Sequence, residues 1–174
     1  VAEPGSPDEH SIGLPPTAGG REPGSAPHLT RGFLFADLRD YTGYVEGHGN
    51  RAAAALLERY RGLVRGAIAD ADGAEVKTEG DAFYVVFDAV SDAVRCGLAI
   101  VAAAAASAGG PDPIRVGVGI HAGETIATAD GYVGSAVNIA ARLGSEAKAG
   151  EVVVSDTVRA LTRTAVEADF LPLG

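Results

Sequence analysis

Two aspartates, Asp37 and Asp81, each lie where an apolar run of the strand type meets a polar residue. Asp37 ends the run at residues 32–37, and Asp81 follows a tight turn at Glu79 and Gly80. Carboxylates at strand ends can converge, and burying two of them side by side is costly unless a cation or a proton compensates their charge. Magnesium supplies that compensation through oxygen ligands. The pair is a candidate metal site, whereas either aspartate alone is more typical of an ordinary strand end or turn.

A second pair, Asn138 and Arg142, lies four residues apart in a segment with a helical pattern, residues 136–143. Side chains at this spacing project from the same face of a helix, so both can reach one ligand. The planar cation of arginine also suits phosphate oxygens. Taken alone, the pair is more typical of a surface arginine and an asparagine near a helix N-terminus.

The elements that would position these residues are a strand, a helix, a hairpin of residues 74–78 and 81–88, a second helix and a further strand. Asn50 is predicted to cap the first helix and Ser91 the second. The strand at 114–121 leads into a polar loop, followed by a short helix, a strand and a helix capped by Ser155. We therefore predict an α+β fold: a ferredoxin-like βαββαβ core with a mainly antiparallel sheet, helices on one face, and a small extra β/α extension.

The domain organisation follows from composition. Residues 1–29 are predicted to be a disordered linker or tail, because residues 1–28 hold six of the nine prolines and few large apolar groups. Residues 30–174 are expected to form one domain, which suits a chain of 174 residues.

Charge and composition exclude several partners. A formal net charge of −9 and only two lysines argue against nucleic acid. The longest apolar stretch, residues 97–106, is about half the length that crosses a bilayer, so no direct membrane insertion by this chain is expected. The single cysteine, Cys96, cannot form a disulfide within the chain and suits a reducing, cytoplasmic setting.

Three ordered segments resemble the motifs of the class III adenylate/guanylate cyclase catalytic domain of the bacterial type. Residues 35–42 (FADLRDYT) are similar to the first metal motif of the family, and residues 76–83 (VKTEGDAF) to the second. Residues 134–143 (GSAVNIAARL) carry the Asn-x-x-x-Arg element, and residues 150–155 look like the strand that follows it. The order and spacing are those of the family, and the resemblance covers nearly all of residues 31–174.

The resemblance implies that Asp37 and Asp81 bind two Mg²⁺ or Mn²⁺ ions per site, with the backbone carbonyl of Leu38 as a further ligand. Leu38 and Thr42 would also bind the substrate, in the turn that holds its triphosphate. The ions would lower the pKa of the ribose 3′-hydroxyl and neutralise the phosphates for in-line attack on the α-phosphorus. The expected reaction is that of an adenylate cyclase, ATP to 3′,5′-cyclic AMP and pyrophosphate.

The same resemblance assigns the remaining contacts. Asn138 would position the ribose, and Arg142 would stabilise charge on the transition-state phosphate. Lys77 falls at the position that reads the purine, where lysine accompanies a preference for ATP. In family dimers the metal aspartates come from one chain and the base-reading, Asn and Arg residues from the other, so a homodimer with composite active sites is expected.

Three features depart from the family pattern. Gly131 occupies the second base-reading position, where adenylate cyclases usually have Asp or Thr, so GTP stays open as a substrate and the adjacent Asp130 is a candidate substitute. Asp40 stands where the phosphate-binding turn usually has glycine; aspartate tolerates this backbone but adds a negative charge. The chain also stops before the closing strand of the family and its phosphate-binding lysine.

These departures keep a second function open, a cyclase-fold module of low or no activity that binds nucleotide or dimerises to regulate an attached domain. A diguanylate cyclase fits poorly because its Gly-Gly-Asp/Glu-Glu-Phe motif is absent. His121 is interpreted as a polar strand end rather than a catalytic base, and His48 as a loop residue.

Overall fold

The computed structural model describes residues 29–173, which form one sheet with helices packed on it. The predicted linker or tail at residues 1–29 lies outside this range except for Leu29, which opens the first strand. The strands are β1 (Leu29–Leu38), β2 (Ala74–Glu79), β3 (Ala82–Phe87), β4 (Val116–Thr128), β5 (Gly131–Val133) and β6 (Val152–Val154). The helices are α1 (Tyr41–Asp70), α2 (Val90–Ala106), α3 (Ser135–Glu146) and α4 (Asp156–Thr162).

The sheet runs in the order β2-β3-β1-β4-β5, and β6 pairs with β4 outside this path. Every pairing is antiparallel except that of β4 with β6. The elements β1, α1, β2, β3, α2 and β4 form the βαββαβ core, and the later elements form the extension. The predicted α+β fold is therefore confirmed. Within residues 29–173, none of the helices combines the length and apolar character that spanning a bilayer requires.

We call one side of the sheet the two-helix face, because the core helices α1 and α2 pack on it. Alternate residues of the central strands point this way, among them Leu34, Val118 and Ile120, all fully buried. Tyr60 of α1 and Ile100 of α2 meet them in the same cluster. Burial of these apolar side chains provides most of the hydrophobic stabilisation of the domain.

The opposite side, the α3 face, carries helix α3 and a second apolar cluster. Phe33 of β1 packs there with Ala136 and Ala140 of α3. The helix lies very close to β4, since a methyl group built at Gly119 would overlap the backbone nitrogen of Gly144. Glycine at these positions lets the backbone of the helix rest against the strand. The core helices share one face as predicted, and α3 of the extension takes the other.

The start of α1 differs from the prediction. The helix begins at Tyr41 rather than at Asn50, and it is interrupted at Gly49, whose φ of 79° is not helical. Asn50 begins the second helical segment. The positive φ at Gly49 joins the two segments at a kink, a geometry that glycine adopts readily.

Two other local predictions are wrong and one is confirmed. Ser91 does not cap α2, which begins without a side-chain cap, whereas the Ser155 hydroxyl accepts a hydrogen bond from the Val158 N–H at the start of α4. The polar loop expected after residue 121 is a hairpin of β4 and β5. Its apolar residues Ile126 and Val133 are 40% and 63% exposed, so no buried face marks it as strand in the sequence.

Candidate active site

The carboxyl groups of Asp37 and Asp81 meet at one end of the central strands. Asp37 pairs with Gly117 across β1 and β4, and Asp81 lies in the turn between β2 and β3. Because Ala36 pairs with Phe83, this turn lies beside the end of β1. The two carboxyl groups are close enough to share a hydrogen bond. The structure therefore brings the two predicted metal ligands together.

This contact changes the acidity of Asp37. Burial, the hydrogen bond with Asp81 and the charge of Asp81 raise the pKa of Asp37 to about 6. The charge of Arg39 and the backbone N–H of Leu38 act in the opposite direction on that pKa. The Asp37 side chain is 41% exposed, so an ion or a substrate can reach it.

The donor set of the aspartate pair fits Mg²⁺ or Mn²⁺. Both cations prefer oxygen ligands, and Mg²⁺ is usually held by one or two carboxylates while water and substrate phosphates complete its shell. A bound cation also stabilises two carboxylates in contact more than two separated ones, because it offsets their mutual repulsion. Across residues 29–173, no three His, Cys, Asp or Glu side chains are grouped to hold an ion, so the pair would depend on backbone and substrate oxygens.

The turn after Asp37 has a backbone shape that favours glycine, yet it contains Asp40. This residue adopts φ 60° and ψ 24°, in the left-handed region. Its carboxylate pairs with Arg115 at 2.7 Å and is 68% exposed, so its charge is both compensated and solvated. Next to it, Leu38 packs its side chain in the core, and Thr42 is exposed in the first turn of α1.

The predicted base-reading positions lie near each other. Gly131 has φ 128°, and a methyl group built there would lie 3.0 Å from Val76, the residue before Lys77. Lys77 is exposed and pairs with Glu79 at 2.6 Å. Asp130 is exposed in the two-residue turn between β4 and β5. The backbone thus favours glycine at position 131, and Asp130 stays in the turn rather than taking its place.

Asn138 and Arg142 lie one turn apart on the exposed side of α3, whose other side is buried at Ala140 and Gly144. Both side chains therefore lie in solvent, on the side of α3 that faces away from the sheet.

Arg39 belongs to this region, although no role for it was expected from the sequence. Its Nε donates to the Ala147 carbonyl at 2.7 Å, and Nη2 donates to the Gly144 carbonyl. Its Nη1 lies 3.4 Å from the Asp37 carboxylate. One signal for this position exists in the sequence, the alternation of valine and glycine around Gly117, which leaves room on one side of β4.

His121 and His48 both have structural contacts. His121 lies within β4 rather than at a strand end, its Nδ1 is 2.7 Å from the Ser155 hydroxyl, and burial lowers its pKa. His48 lies in the first segment of α1, where its ring stacks on Tyr44 with 4.2 Å between centroids, so the prediction of a loop residue is wrong. Neither contact indicates a catalytic base.

Comparison with protein families and curated proteins gives several matches. The family model described as the adenylate and guanylate cyclase catalytic domain matches residues 26–171. The chain is 28% identical over 145 residues to a putative adenylate cyclase 3 of Rhizobium meliloti (strain 1021), covering 82% of this chain and 25% of that protein. It is 29% identical over 144 residues to the serine/threonine-protein kinase pkn2 of Myxococcus xanthus, covering 81% of this chain and 17% of the kinase. The chain thus spans a quarter or less of these two relatives.

Among solved structures, the chain is similar to an adenylate/guanylate cyclase/hydrolase from Silicibacter pomeroyi. The TM-score is 0.77 at 31% sequence identity, and the match covers 86% of this chain and 89% of that one. The likeness therefore extends over nearly the whole of both domains.

Proposed function

This chain belongs to the adenylate and guanylate cyclase catalytic domain family, and on that basis we propose that it converts ATP to 3′,5′-cyclic AMP and pyrophosphate. The observation that carries this proposal is the contact between the carboxyl groups of Asp37 and Asp81 at the strand ends. We assign this pair two Mg²⁺ or Mn²⁺ ions, whose oxygen preference it matches. When bound, such ions activate the ribose 3′-hydroxyl and neutralise charge on the triphosphate.

The other residues of the chain bind and orient the substrate. The Leu38 carbonyl adds an oxygen beside the aspartate pair, and Thr42 faces the triphosphate from the first turn of α1, where backbone N–H groups favour anions. Asn138 hydrogen-bonds to the ribose and holds the 3′-hydroxyl in line with the α-phosphorus. Arg142 donates to the phosphate oxygens on which negative charge develops.

We propose that each active site is completed only in a homodimer. Asn138 and Arg142 are exposed, on the side of α3 that faces away from the sheet. Apolar residues of β5 and α3 are also in solvent, with Val133 63% and Ile139 39% exposed. A second copy that covered them would bring its own Asn138 and Arg142 to the aspartate pair, giving two composite sites related by twofold symmetry.

The preference for ATP over GTP rests on Lys77 and Gly131. Lysine offers only hydrogen-bond donors, which match the N1 acceptor of adenine, whereas N1 of guanine carries a hydrogen. Gly131 offers no side chain to read the rest of the purine edge, and the exposed Asp130 lies in the adjacent turn. We therefore propose ATP as the preferred substrate, with modest discrimination against GTP.

The test is an assay of cyclic nucleotide formation from ATP and from GTP with Mn²⁺, comparing wild type with Asp37→Ala. We expect more cyclic AMP than cyclic GMP from wild type and only background from the variant. A wild-type rate no higher than that of Asp37→Ala would overturn the proposed enzyme. Lys77→Glu should move the product ratio toward cyclic GMP, whereas Lys148→Glu, which reverses the other lysine, should not.

A second candidate function is favoured by one observation, the match to a stretch that makes up 17% of a protein named as a serine/threonine kinase. In such a setting the domain would bind nucleotide or dimerise to regulate an attached domain, with little turnover. Calorimetric binding of ATP to wild type, without product above the Asp37→Ala background, would favour this function over catalysis.

A further inference from the structure

Arg39 connects the aspartate pair to the C-terminal end of α3. Its guanidinium donates to the carbonyls of Gly144 and Ala147, and its third contact reaches the Asp37 carboxylate at 3.4 Å. Carbonyls at this end of a helix lack partners within the helix and carry the negative end of its dipole, so a cation is stabilised there. One side chain therefore joins a carboxylate of β1 to the end of a helix in the extension.

The surrounding backbone leaves the Arg39 guanidinium little room to move. Gly117 lies opposite Asp37 in the register of β1 and β4, and a methyl group built there would lie 2.5 Å from Arg39 Nη2 and 2.6 Å from the Ala147 carbonyl oxygen. The Arg39 side chain is 19% exposed. A planar group held on two sides, with its donors directed to fixed acceptors, keeps one geometry.

We propose that Arg39 is a positioning residue that couples the two active sites of the homodimer. It links Asp37, which serves one site, to helix α3, which carries Asn138 and Arg142 for the other site. This inference rests on the proposed function and its composite sites. The contact to the carboxylate is longer than the Nε bond to Ala147. A cation bound by Asp37 therefore weakens the contact between Asp37 and Arg39 first. The hydrogen bonds from Arg39 to α3 persist, so a shift of the guanidinium also shifts the end of the helix.

Mixed dimers can separate the two ends of this link. One subunit carries Arg142→Ala and donates the aspartate pair, and the other carries Asp81→Ala and donates α3, so a mixed dimer holds one complete site while the Asp37–Arg39 contact is kept in both subunits. Arg39→Gln is then placed in either subunit. We expect kcat to fall about 10- to 100-fold in both placements, because small displacements of catalytic groups have effects of this size. Only the placement in the aspartate-donating subunit should raise the Mn²⁺ concentration needed for half-maximal rate.

Arg39→Lys is a control for misfolding of the Arg39→Gln variant. A lysine keeps the charge near Asp37 but cannot satisfy both helix carbonyls with a planar fork. In the aspartate-donating subunit, Arg39→Lys should return the Mn²⁺ concentration for half-maximal rate to its wild-type value. In the α3-donating subunit, it should leave kcat as low as Arg39→Gln does.

Hydrogen exchange gives a readout that does not depend on turnover. With Mn²⁺ alone as the probe, we expect slower exchange of amides in the last turn of α3 in the wild-type homodimer and no such change in Arg39→Gln. Arg95→Gln is the matched control, since Arg95 also pairs with a carboxylate (Asp92, 2.6 Å) and a carbonyl (Ala165, 2.6 Å), but on α2. It should behave as wild type in exchange and in rate.

The outcomes distinguish this inference from the proposed function. An active mixed dimer whose kcat is unchanged by Arg39→Gln in the α3-donating subunit overturns the coupling and leaves the composite site standing. A mixed dimer that is inactive before any change at Arg39, while the wild-type homodimer is active, overturns the composite site itself. Reduced kcat in both placements, with Mn²⁺-dependent protection of α3 lost in Arg39→Gln, supports the coupling.

Discussion

Strand β4 shows the two faces of the sheet in one stretch of sequence. Val118 and Ile120 are fully buried on the two-helix face, whereas Gly117 and Gly119 alternate with them on the α3 face. On the first face, buried apolar side chains fill the space under α1 and α2. On the second, the strand gives up side-chain volume, and a helix backbone and an arginine take the place beside Asp37.

The two faces therefore have different roles: one stabilises the fold, and the other positions the groups of the candidate site. A substitution on the two-helix face acts through the apolar area that it removes. A substitution on the α3 face acts through the displacement of polar groups. Phe35 and Tyr84 on the α3 face stack at 4.7 Å between ring centroids and remain half-buried, so apolar surface stays exposed on this face.

The largest effect on activity is expected from Asp81→Asn, which removes one carboxylate of the aspartate pair at the strand ends. Loss of one carboxylate removes a proposed metal ligand, and kcat should fall about 10³-fold or more, since a bound cation contributes several kcal/mol. The melting temperature should not fall, because a repulsive contact with Asp37 is removed. Initial rates and thermal unfolding check both expectations. Asp156→Asn on α4, a 94% exposed carboxylate, is the control and should leave kcat unchanged.

A smaller loss is expected from Gly119→Ala, which would break the close approach of α3. The added methyl overlaps the backbone nitrogen of Gly144, which no side-chain rotation can relieve, so the helix must shift. We expect kcat to fall about 100-fold, the effect of about 1 Å of misplacement, and stability to fall by about 1–3 kcal/mol. Rates and urea unfolding measure these two quantities.

The control for that variant is Gly62→Ala on α1, where an added methyl meets no atom within 4 Å. It should raise stability by about 0.5–1 kcal/mol and leave kcat unchanged. If Gly119→Ala kept the wild-type rate, the close approach of helix and strand would not matter for catalysis.

The two faces were not equally visible in the sequence. The helical spacing of Leu56, Tyr60 and Val64 predicts the buried side of α1, and the apolar strands predict the sheet that it covers. These signals are local. The alternation of valine and glycine in β4 shows which residues share a face, but not that α3 lies on the glycine side, because that contact joins distant parts of the chain.

The candidate site shows the same limit. Asp37 and Asp81 were predicted as a pair from the motifs around them, yet their contact depends on the register of β1 with β3. The hydrogen bond from Arg39 to Ala147 joins residues 108 positions apart, and no local pattern reports it. Asp40 was expected to tolerate an unusual backbone, and it does, at φ 60°.

The affinity for Mn²⁺ is expected to change about tenfold with pH, which tests the assignment of the aspartate pair as the metal site. With the pKa of Asp37 raised to about 6, a cation must displace a proton below that pH. Mn²⁺ affinity, measured by calorimetric titration, should be about tenfold weaker at pH 5 than at pH 7. With the ordinary pKa of 3.8, affinity would be nearly constant over this range.

Stability should move with pH in the opposite direction when no metal is bound. Because the folded-state pKa of Asp37 lies above the unfolded value, its protonated form favours folding, and this contribution is lost as the pH rises through about 6. The change is small because the side chain is 41% exposed and screened by solvent. Asp37→Asn should remove it.

The smallest change in activity is expected from Ile120→Ala, the residue next to Gly119 but on the two-helix face. Ile120 is fully buried, and its truncation leaves a cavity against α2, so the free energy of unfolding should fall by about 2–5 kcal/mol. At a temperature where the variant stays folded, kcat should change by less than about twofold, because no polar group of the site is displaced. Urea unfolding and initial rates on the same preparation test this pair of expectations. If Ile120→Ala lowered kcat as far as Gly119→Ala while still folded, the packing under α1 and α2 would itself set the geometry of the site, and the two faces would not divide stability from chemistry.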